Sequence, residues 1–198
     1  MALETLTANI ADNRIVSAAS ATWGDVRGAT TGTAGTVTAT TVGIGEGLAG
    51  TDFAIRRYFC YFTSTATGTV TGATFSFEIV SGSEVANTFH LVETTQSTPV
   101  VGDDFNNLSF TSFGSVSTAA SGVKTITLNA AGIAYVNTNI GSIIKLGIIG
   151  NYDQTNVAPS VEGNYYPLFY SGDELTAQKP TLAITYTTVG GAFFFNLI

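Results

Sequence analysis

The sequence predicts an all-β fold: a two-sheet antiparallel β-sandwich, or jelly roll, with one short helix. Three observations carry that expectation. Charged residues make up only 11% of the chain and hydrophobic ones 44%, and Thr, Ser, Val and Phe dominate where helical proteins carry Glu, Lys, Leu and Arg. Several segments alternate large apolar and small polar residues with a period of two, which places one set on a buried face and the other on an exposed one. Between them 22 glycines, together with Ser, Thr and Asn, supply turns at the spacing of a many-stranded β domain. A chain of 198 residues can bury a core without staples. Residues 1–188 read as a single jelly-roll domain and residues 189–198 as a hydrophobic C-terminal tail.

From Asp12 to Gly50 the text is small and polar, and it reads as two early strands joined by a long flexible loop. Within it GIGEG, Gly43 to Gly47, is read as a turn: it resembles a phosphate-binding glycine loop only superficially, because no helix and lysine follow. In DFAIRRYFCYFTS, Asp52 to Ser64, Tyr58, Cys60 and Phe62 share one face while Phe59 and Tyr61 share the other. That strand is expected to be central and covered on both sides. Next, TVTGATFSFEIVSGSE turns Ala73, Phe75, Phe77 and Ile79 one way and Thr74, Ser76 and Glu78 the other, as a half-buried strand does. NTFHLVETT repeats the device with Phe89 and Leu91 inward and His90 outward. A loop with Pro99, Gly102, Asp103 and Asp104 leads into FNNLSFTSFGS and VKTITLNAAGIAYVNTNIG. There Asn129 is placed to cap a helix over Ala130 to Val136, which the following Asn and Gly residues stop. SIIKLGIIG then forms a buried strand with Ile144, Leu146 and Ile148 on one face. PTLAITYTT, entered through Pro180, closes the sandwich with Leu182, Ile184 and Tyr186 together. The expected total is about eight to ten short strands, with no internal repeat.

Fourteen acidic against seven basic residues give a formal charge of -7. No basic cluster exceeds Arg56 with Arg57, so nucleic acid is not an expected partner. One of these arginines is expected in solvent and the other paired with a carboxylate at the sheet end. MALETLTANIADNR lacks a charged start followed by an apolar run, and no window of about 18 apolar residues exists, so neither a secretory signal nor a membrane-spanning helix is expected. Cys60, the single cysteine, is read as a small buried hydrophobe, and with the single histidine it cannot complete a zinc site. His90 on an outward face, without a second histidine or a Gly-x-Ser-x-Gly elbow, does not support a triad, so no catalytic residue is assigned and the chain is read as non-enzymatic. Asp103 with Asp104 and Asp173 with Glu174 are adjacent pairs that point apart on a strand. Calcium is the one cofactor with candidate donors, Asp12, Asp173 and Glu174, against the simpler reading of solvated turn residues. Trp23, Tyr152, Tyr165, Tyr166 and Tyr170 lie in or near loops. The first four are the candidate glycan contacts, although packing uses the same residue types more often.

Four segments in this order, ADNRIVSAASATWGDVRGATTG, FAIRRYFCYFTSTATGTVTGATFSFEI, TLNAAGIAYVNTNIGSIIKLGII and YYPLFYSGDELTAQKPTLAITYTT, resemble the DNRLRE-type jelly-roll domains. Those modules are similar to carbohydrate-binding modules and recur in bacterial surface proteins and in structural proteins of tailed bacteriophages. Arg57, Ala73 to Phe77, Leu128 to Val136 and Phe169 to Tyr186 match the pattern, and the resemblance spans Leu6 to Thr188. Two departures stand out: Thr63 replaces an acidic residue after FCYF, and the terminal FFFNLI is not part of the module.

That terminal stretch carries Phe193, Phe194, Phe195, Leu197 and Ile198, each worth roughly 1.5 to 3 kcal/mol when buried. With Val189 to Gly191 as a hinge, it is expected either to fold back as an extra strand or to cross to a neighbour as a strand or plug, which makes those five residues an assembly interface. The resemblance and this segment together imply a virion structural protein, a capsid decoration (cement) or tail-associated subunit of a bacteriophage. Other virion proteins would be its partners, it would form a homo-oligomer such as a trimer, and it would sit in a particle assembled in the host cytoplasm. The alternative is a carbohydrate-binding adhesin for host surface glycan. A polysaccharide lyase or hydrolase ranks third, sharing only the fold.

Overall fold

A computed structural model describes residues 1–9, 12–35, 40–81, 86–172 and 178–188. In chain order the first strands are β1 (Ala2–Thr7), β2 (Asn13–Val16), β3 (Thr33–Ala34), β4 (Thr41–Gly43), β5 (Gly45–Ala49), β6 (Asp52–Thr63) and β7 (Thr69–Ser81). They are followed by β8 (Thr88–Thr94), β9 (Leu108–Ser117), β10 (Gly122–Thr127), β11 (Ile143–Gly150), β12 (Gly163–Asn164), β13 (Leu168–Tyr170) and β14 (Thr181–Thr187). Three α-helices are interspersed, α1 (Trp23–Arg27), α2 (Ala130–Asn139) and α3 (Asn151–Thr155), with a 3-10 turn at Gly102–Asp104.

These strands build the sandwich. A 6-stranded sheet runs β1-β14-β7-β13-β4 with β10 also on β7, and an 8-stranded sheet runs β12-β5-β6-β11-β8-β9 with β2 on β6 and β3 on β2. Every pairing is antiparallel. Alternation does what the sequence predicts. Phe75, Phe77 and Ile79 of β7 and Leu182 and Ile184 of β14 meet Cys60, Phe62, Leu91, Leu146 and Ile148 of the other sheet in one core. Aromatic rings cross the interface edge to face, Tyr58 on Phe169 at 4.8 Å and Phe62 on Phe75 at 6.1 Å. β6 is covered on its second face as well: Ile55 and Phe59 pack with Ile15, Val26, Val100 and Phe105 in a smaller cluster under α1.

Four expectations need correction. The described residues hold fourteen strands rather than about eight to ten, because two- and three-residue pieces such as β3, β12 and β13 also join the sheets. The stretch from Asp12 to Gly50 holds four strands, β2 to β5, where two were expected. α1 and α3 were not expected: their N-cap positions, Thr22 and Gly150, make no side-chain capping bond. The predicted helix extends past Val136 to Asn139 because Thr138 and Asn139 return hydrogen bonds to the carbonyls of Ala134 and Tyr135, and Gly141, at φ 79°, turns the chain. Finally, GIGEG is not a turn. Gly43 closes β4, and Gly45 to Gly47 open β5, where Gly45 at φ 127° lets the backbone approach the carbonyl of Tyr165.

α2 begins as expected. The Asn129 side chain accepts from Gly132 N at 3.0 Å and also donates to Ser112 O at 2.8 Å. Asn129→Ala is therefore expected to cost about 1 kcal/mol, read as a lowered urea midpoint with an unchanged slope.

Candidate functional site

The deepest polar cluster forms where α1, α3, β5 and β6 converge. Arg57 lies on the same face of β6 as Ile55 and Phe59 and is wholly buried. Its Nε donates to Asp153 Oδ2 at 2.7 Å and its Nη2 to Asp153 Oδ1 at 2.9 Å, the two-pronged geometry that suits guanidinium and carboxylate. Further donations reach Phe105 O at 2.8 Å and Arg27 O at 3.0 Å, and the guanidinium lies 4.2 Å from the Phe105 ring centre. Arg27 supports the same carboxylate from α1, 3.4 Å away.

A second carboxyl, Glu46, is fully buried beside this pair. Its Oε1 accepts from Asp153 N and its Oε2 from Asn87 Nδ2, both at 2.8 Å. Burial, and then the nearby charge of Asp153, push its pKa up to about 8. Gly150 is needed here, since a Cβ would collide with the Glu46 carboxyl. Asn87 joins the segments, donating also to Tyr165 O and accepting from Asn151 N. One arginine thus pairs with a carboxylate, as expected. The other does not stand free in solvent: the Arg56 guanidinium lies 3.6 Å over the Tyr166 ring.

The four candidate glycan residues gather around this end of the 8-stranded sheet, yet their own chain occupies them. Trp23 Nε1 donates to Asn156 Oδ1 at 3.3 Å, and its ring meets Phe53 edge-on. Tyr152 packs at 5.0 Å against Tyr165, which is buried and donates its hydroxyl to Val161 O. Tyr166 donates to Asn164 beneath Arg56. Tyr165 therefore offers no ring to a ligand.

His90 is half-buried rather than solvent-facing. Its Nδ1 lies 3.1 Å from Ser112 Oγ and its Nε2 3.3 Å from Asn151 Oδ1. Burial lowers its pKa, which the Asn151 bond partly offsets. Ser, His and Asn stand in line, but an asparagine carries no charge to stabilise an imidazolium. Asp104 is buried. Burial would raise its pKa, but bonds from Ser97, Val101 and Asn107 outweigh that and hold it below the usual carboxyl value. Asp12 is buried and accepts from Gly172 N at 2.6 Å. Its proposed calcium partners Asp173 and Glu174 lie outside the described residues, as do Phe193, Phe194, Phe195, Leu197 and Ile198. Among the described residues no three His, Cys, Asp or Glu side chains come together for a metal.

Elsewhere, an open groove of about 840 Å³ runs between α2 and the strands β8, β9 and β11. Gly132 lets the helix settle on Phe113, whose Cβ would otherwise be 2.8 Å from a methyl there. Tyr135 then lies against Phe113 with ring centres 5.2 Å apart. Its hydroxyl donates to Lys145 O at 2.7 Å and accepts from Lys145 N at 3.2 Å, and burial pushes its pKa up to about 12. Sequence reasoning missed this groove. Its walls come from segments that only the β8–β11 pairing brings together.

No protein-family model matches the chain. A search of the curated proteins likewise finds no match.

Proposed function

We propose that this chain is a non-enzymatic structural subunit of a bacteriophage particle, a capsid decoration (cement) or tail-associated sandwich that is held by protein contacts and forms a homo-oligomer. The observation that carries this reading is the edge of the 6-stranded sheet. Among the described residues β1 pairs with β14 alone, which leaves its other hydrogen-bonding edge without a strand. Natural edges are usually blunted by Pro, Lys or a bulge. β1, with the sequence ALETLT, has neither Pro nor Lys, its single charge at Glu4 is engaged by Ser64 and Thr65, and Leu3 is 67% exposed. Tyr186 stands opposite Ala2, so the described chain leaves β14 beside the start of that edge. The sequence beyond it carries Phe193, Phe194, Phe195, Leu197 and Ile198. An open edge close to where an apolar sequence begins suits strand addition or a hydrophobic plug between subunits. The ordered resemblance to DNRLRE-type modules supports a phage particle as the setting.

Mass spectrometry of purified particles tests this. A high copy number indicates a shell or tail-tube position and a low one a tip or fibre, while absence from particles defeats the reading. Deleting residues 192–198 is expected to leave a protein with native far-UV circular dichroism that no longer assembles. Full occupancy by the truncated chain would show that these residues are not the contact.

A further inference from the structure

We propose that β1 pairs with β1 of a second copy, antiparallel about a two-fold axis at Thr5, so that the 6-stranded sheets of two subunits run on as one. This rests on the reading above that the β1 edge is a contact between subunits, and it names the occupant of that edge. Ala8, one residue past the Thr7–Thr181 pair, donates its N–H to Pro180 O at 2.8 Å. The next residue, Asn9, donates away from β14 to Tyr61 O at 3.1 Å. Main-chain groups alternate in direction along a strand. Ala2, Glu4 and Leu6 therefore face β14, whereas the N–H and C=O of Leu3, Thr5 and Thr7 point out of the open edge.

Other strands at the sheet margins are short or guarded. β3, β4 and β12 have two or three residues, β10 carries Lys124, and the Ser112 and Phe113 carbonyls of β9 are taken up by Asn129. The one charge of β1, Glu4, is turned to Ser64 Oγ at 2.6 Å and Thr65 N at 3.0 Å. The sequence of β1 also fits itself. With Thr5 against Thr5, Leu3 lies opposite Thr7 of the second copy, and the outward residues of the two strands exchange about six main-chain hydrogen bonds. Cross-strand neighbours are then Leu with Thr on one face and Glu4 with Leu6 on the other, and no like charges are opposed. A slip by two residues one way sets Glu4 against Glu4. The opposite slip puts Leu3 against Asn9, whose N–H already bonds Tyr61. An isologous contact of this kind closes at two copies. Any larger assembly needs a second contact, which keeps this pair distinct from the role proposed for residues 192–198.

Sedimentation equilibrium of the full chain, free of particles, is expected to show monomers and dimers in exchange, with a dissociation constant in the micromolar range. Thr5→Pro removes an outward donor, leaves the bonds to β14 in place, and is expected to weaken the dimer about thirtyfold with unchanged far-UV circular dichroism. Thr5 is exposed, so charged replacements leave the fold intact. Thr5→Glu and Thr5→Lys each oppose like charges and are expected to dimerise about fivefold more weakly, whereas their equimolar mixture forms a heterodimer at least as tight as the parent. Amide exchange resolved by residue is expected to slow at Leu3, Thr5 and Thr7 only at concentrations where the dimer forms, with Glu4 and Leu6 protected throughout. The pairing is overturned by a parent that stays monomeric up to about 0.5 mM, by Thr5→Pro dimerising as the parent does, or by a mixture of Thr5→Glu and Thr5→Lys no tighter than either alone. Protection of Leu3, Thr5 and Thr7 at every concentration overturns it too, since the edge is then covered within the chain. A monomeric protein found in particles defeats this pairing and leaves the particle assignment standing; a dimer absent from particles does the reverse.

Discussion

Replacing Asp153 by alanine is expected to cost about 3 to 5 kcal/mol, because it strands a buried guanidinium. Arg57 and Asp153 are both without solvent exposure, and the carboxylate takes two of the five N–H groups of the arginine. The remaining acceptors, the carbonyls of Phe105 and Arg27 and the side-chain oxygen of Asn106, are neutral and cannot balance the charge. The backbone bonds of residue 153, its N–H to Glu46 and its carbonyl from Arg27, survive in the variant, so the loss is confined to the side-chain pairing. Urea unfolding followed by circular dichroism measures it. The double variant Arg57→Met with Asp153→Leu should recover much of the loss, since apolar residues of similar size often replace a buried ion pair at little cost. A single variant within about 1 kcal/mol of the parent would mean that water reaches the arginine, contrary to its burial.

This pair shows where sequence reading stops. Arg57 stands out locally as one of two basic residues in an apolar strand, and pairing with a carboxylate follows from the cost of burying it. Which carboxylate does not follow, because Asp153 is 96 positions away and no local signature marks a long-range partner. Strand faces are legible for the opposite reason: the period of two binds Ala73, Phe75, Phe77 and Ile79 to one side of β7 whatever their partners. α2 is legible from Asn129, whose cap is made within three residues. α1 and α3, five residues each, have no side-chain cap and persist through tertiary contacts such as Arg27 over Phe110. Glycine misleads in GIGEG, because it marks close backbone approach as readily as a turn, and Gly45 and Gly47 are where β5 meets Tyr165 and Tyr166. The same approach carries Glu46 into the interior, a position that its glycine-rich neighbours do not suggest.

Between about pH 7 and about pH 8 the protein is expected to lose stability as the pH rises, and Glu46 is the cause. Its folded pKa of about 8 lies far above the 4.5 of a free glutamate. Across that interval the folded state holds a proton that the unfolded chain has released, so each step up in pH favours unfolding until the folded carboxyl also ionises. Below the unfolded value both states are protonated and the full contribution is present. His90 acts in the opposite direction: its lowered folded pKa makes stability rise with pH up to the ordinary histidine value of 6.5. Asp104, lowered as well, matters only in acid, where its protonation removes stability. Above about pH 7 the histidine is largely neutral in both states, and the buried Cys60 thiol, whose pKa is also pushed up, adds to a decline only as the ordinary thiol value is approached, so the fall from about pH 7 to about pH 8 belongs to Glu46. Thermal melts at a series of pH values should show the midpoint dropping by a few degrees from about pH 7 to about pH 8. In Glu46→Gln the drop should vanish. That variant is expected to be less stable than the parent at low pH, because its amide must face either the Asn87 or the Asp153 N–H donor, and the gap should narrow steadily as the parent ionises. A parent whose midpoint stays level above pH 7, or a Gln variant that keeps the decline, would show that the two hydrogen bonds and Arg57 hold Glu46 ionised despite its burial.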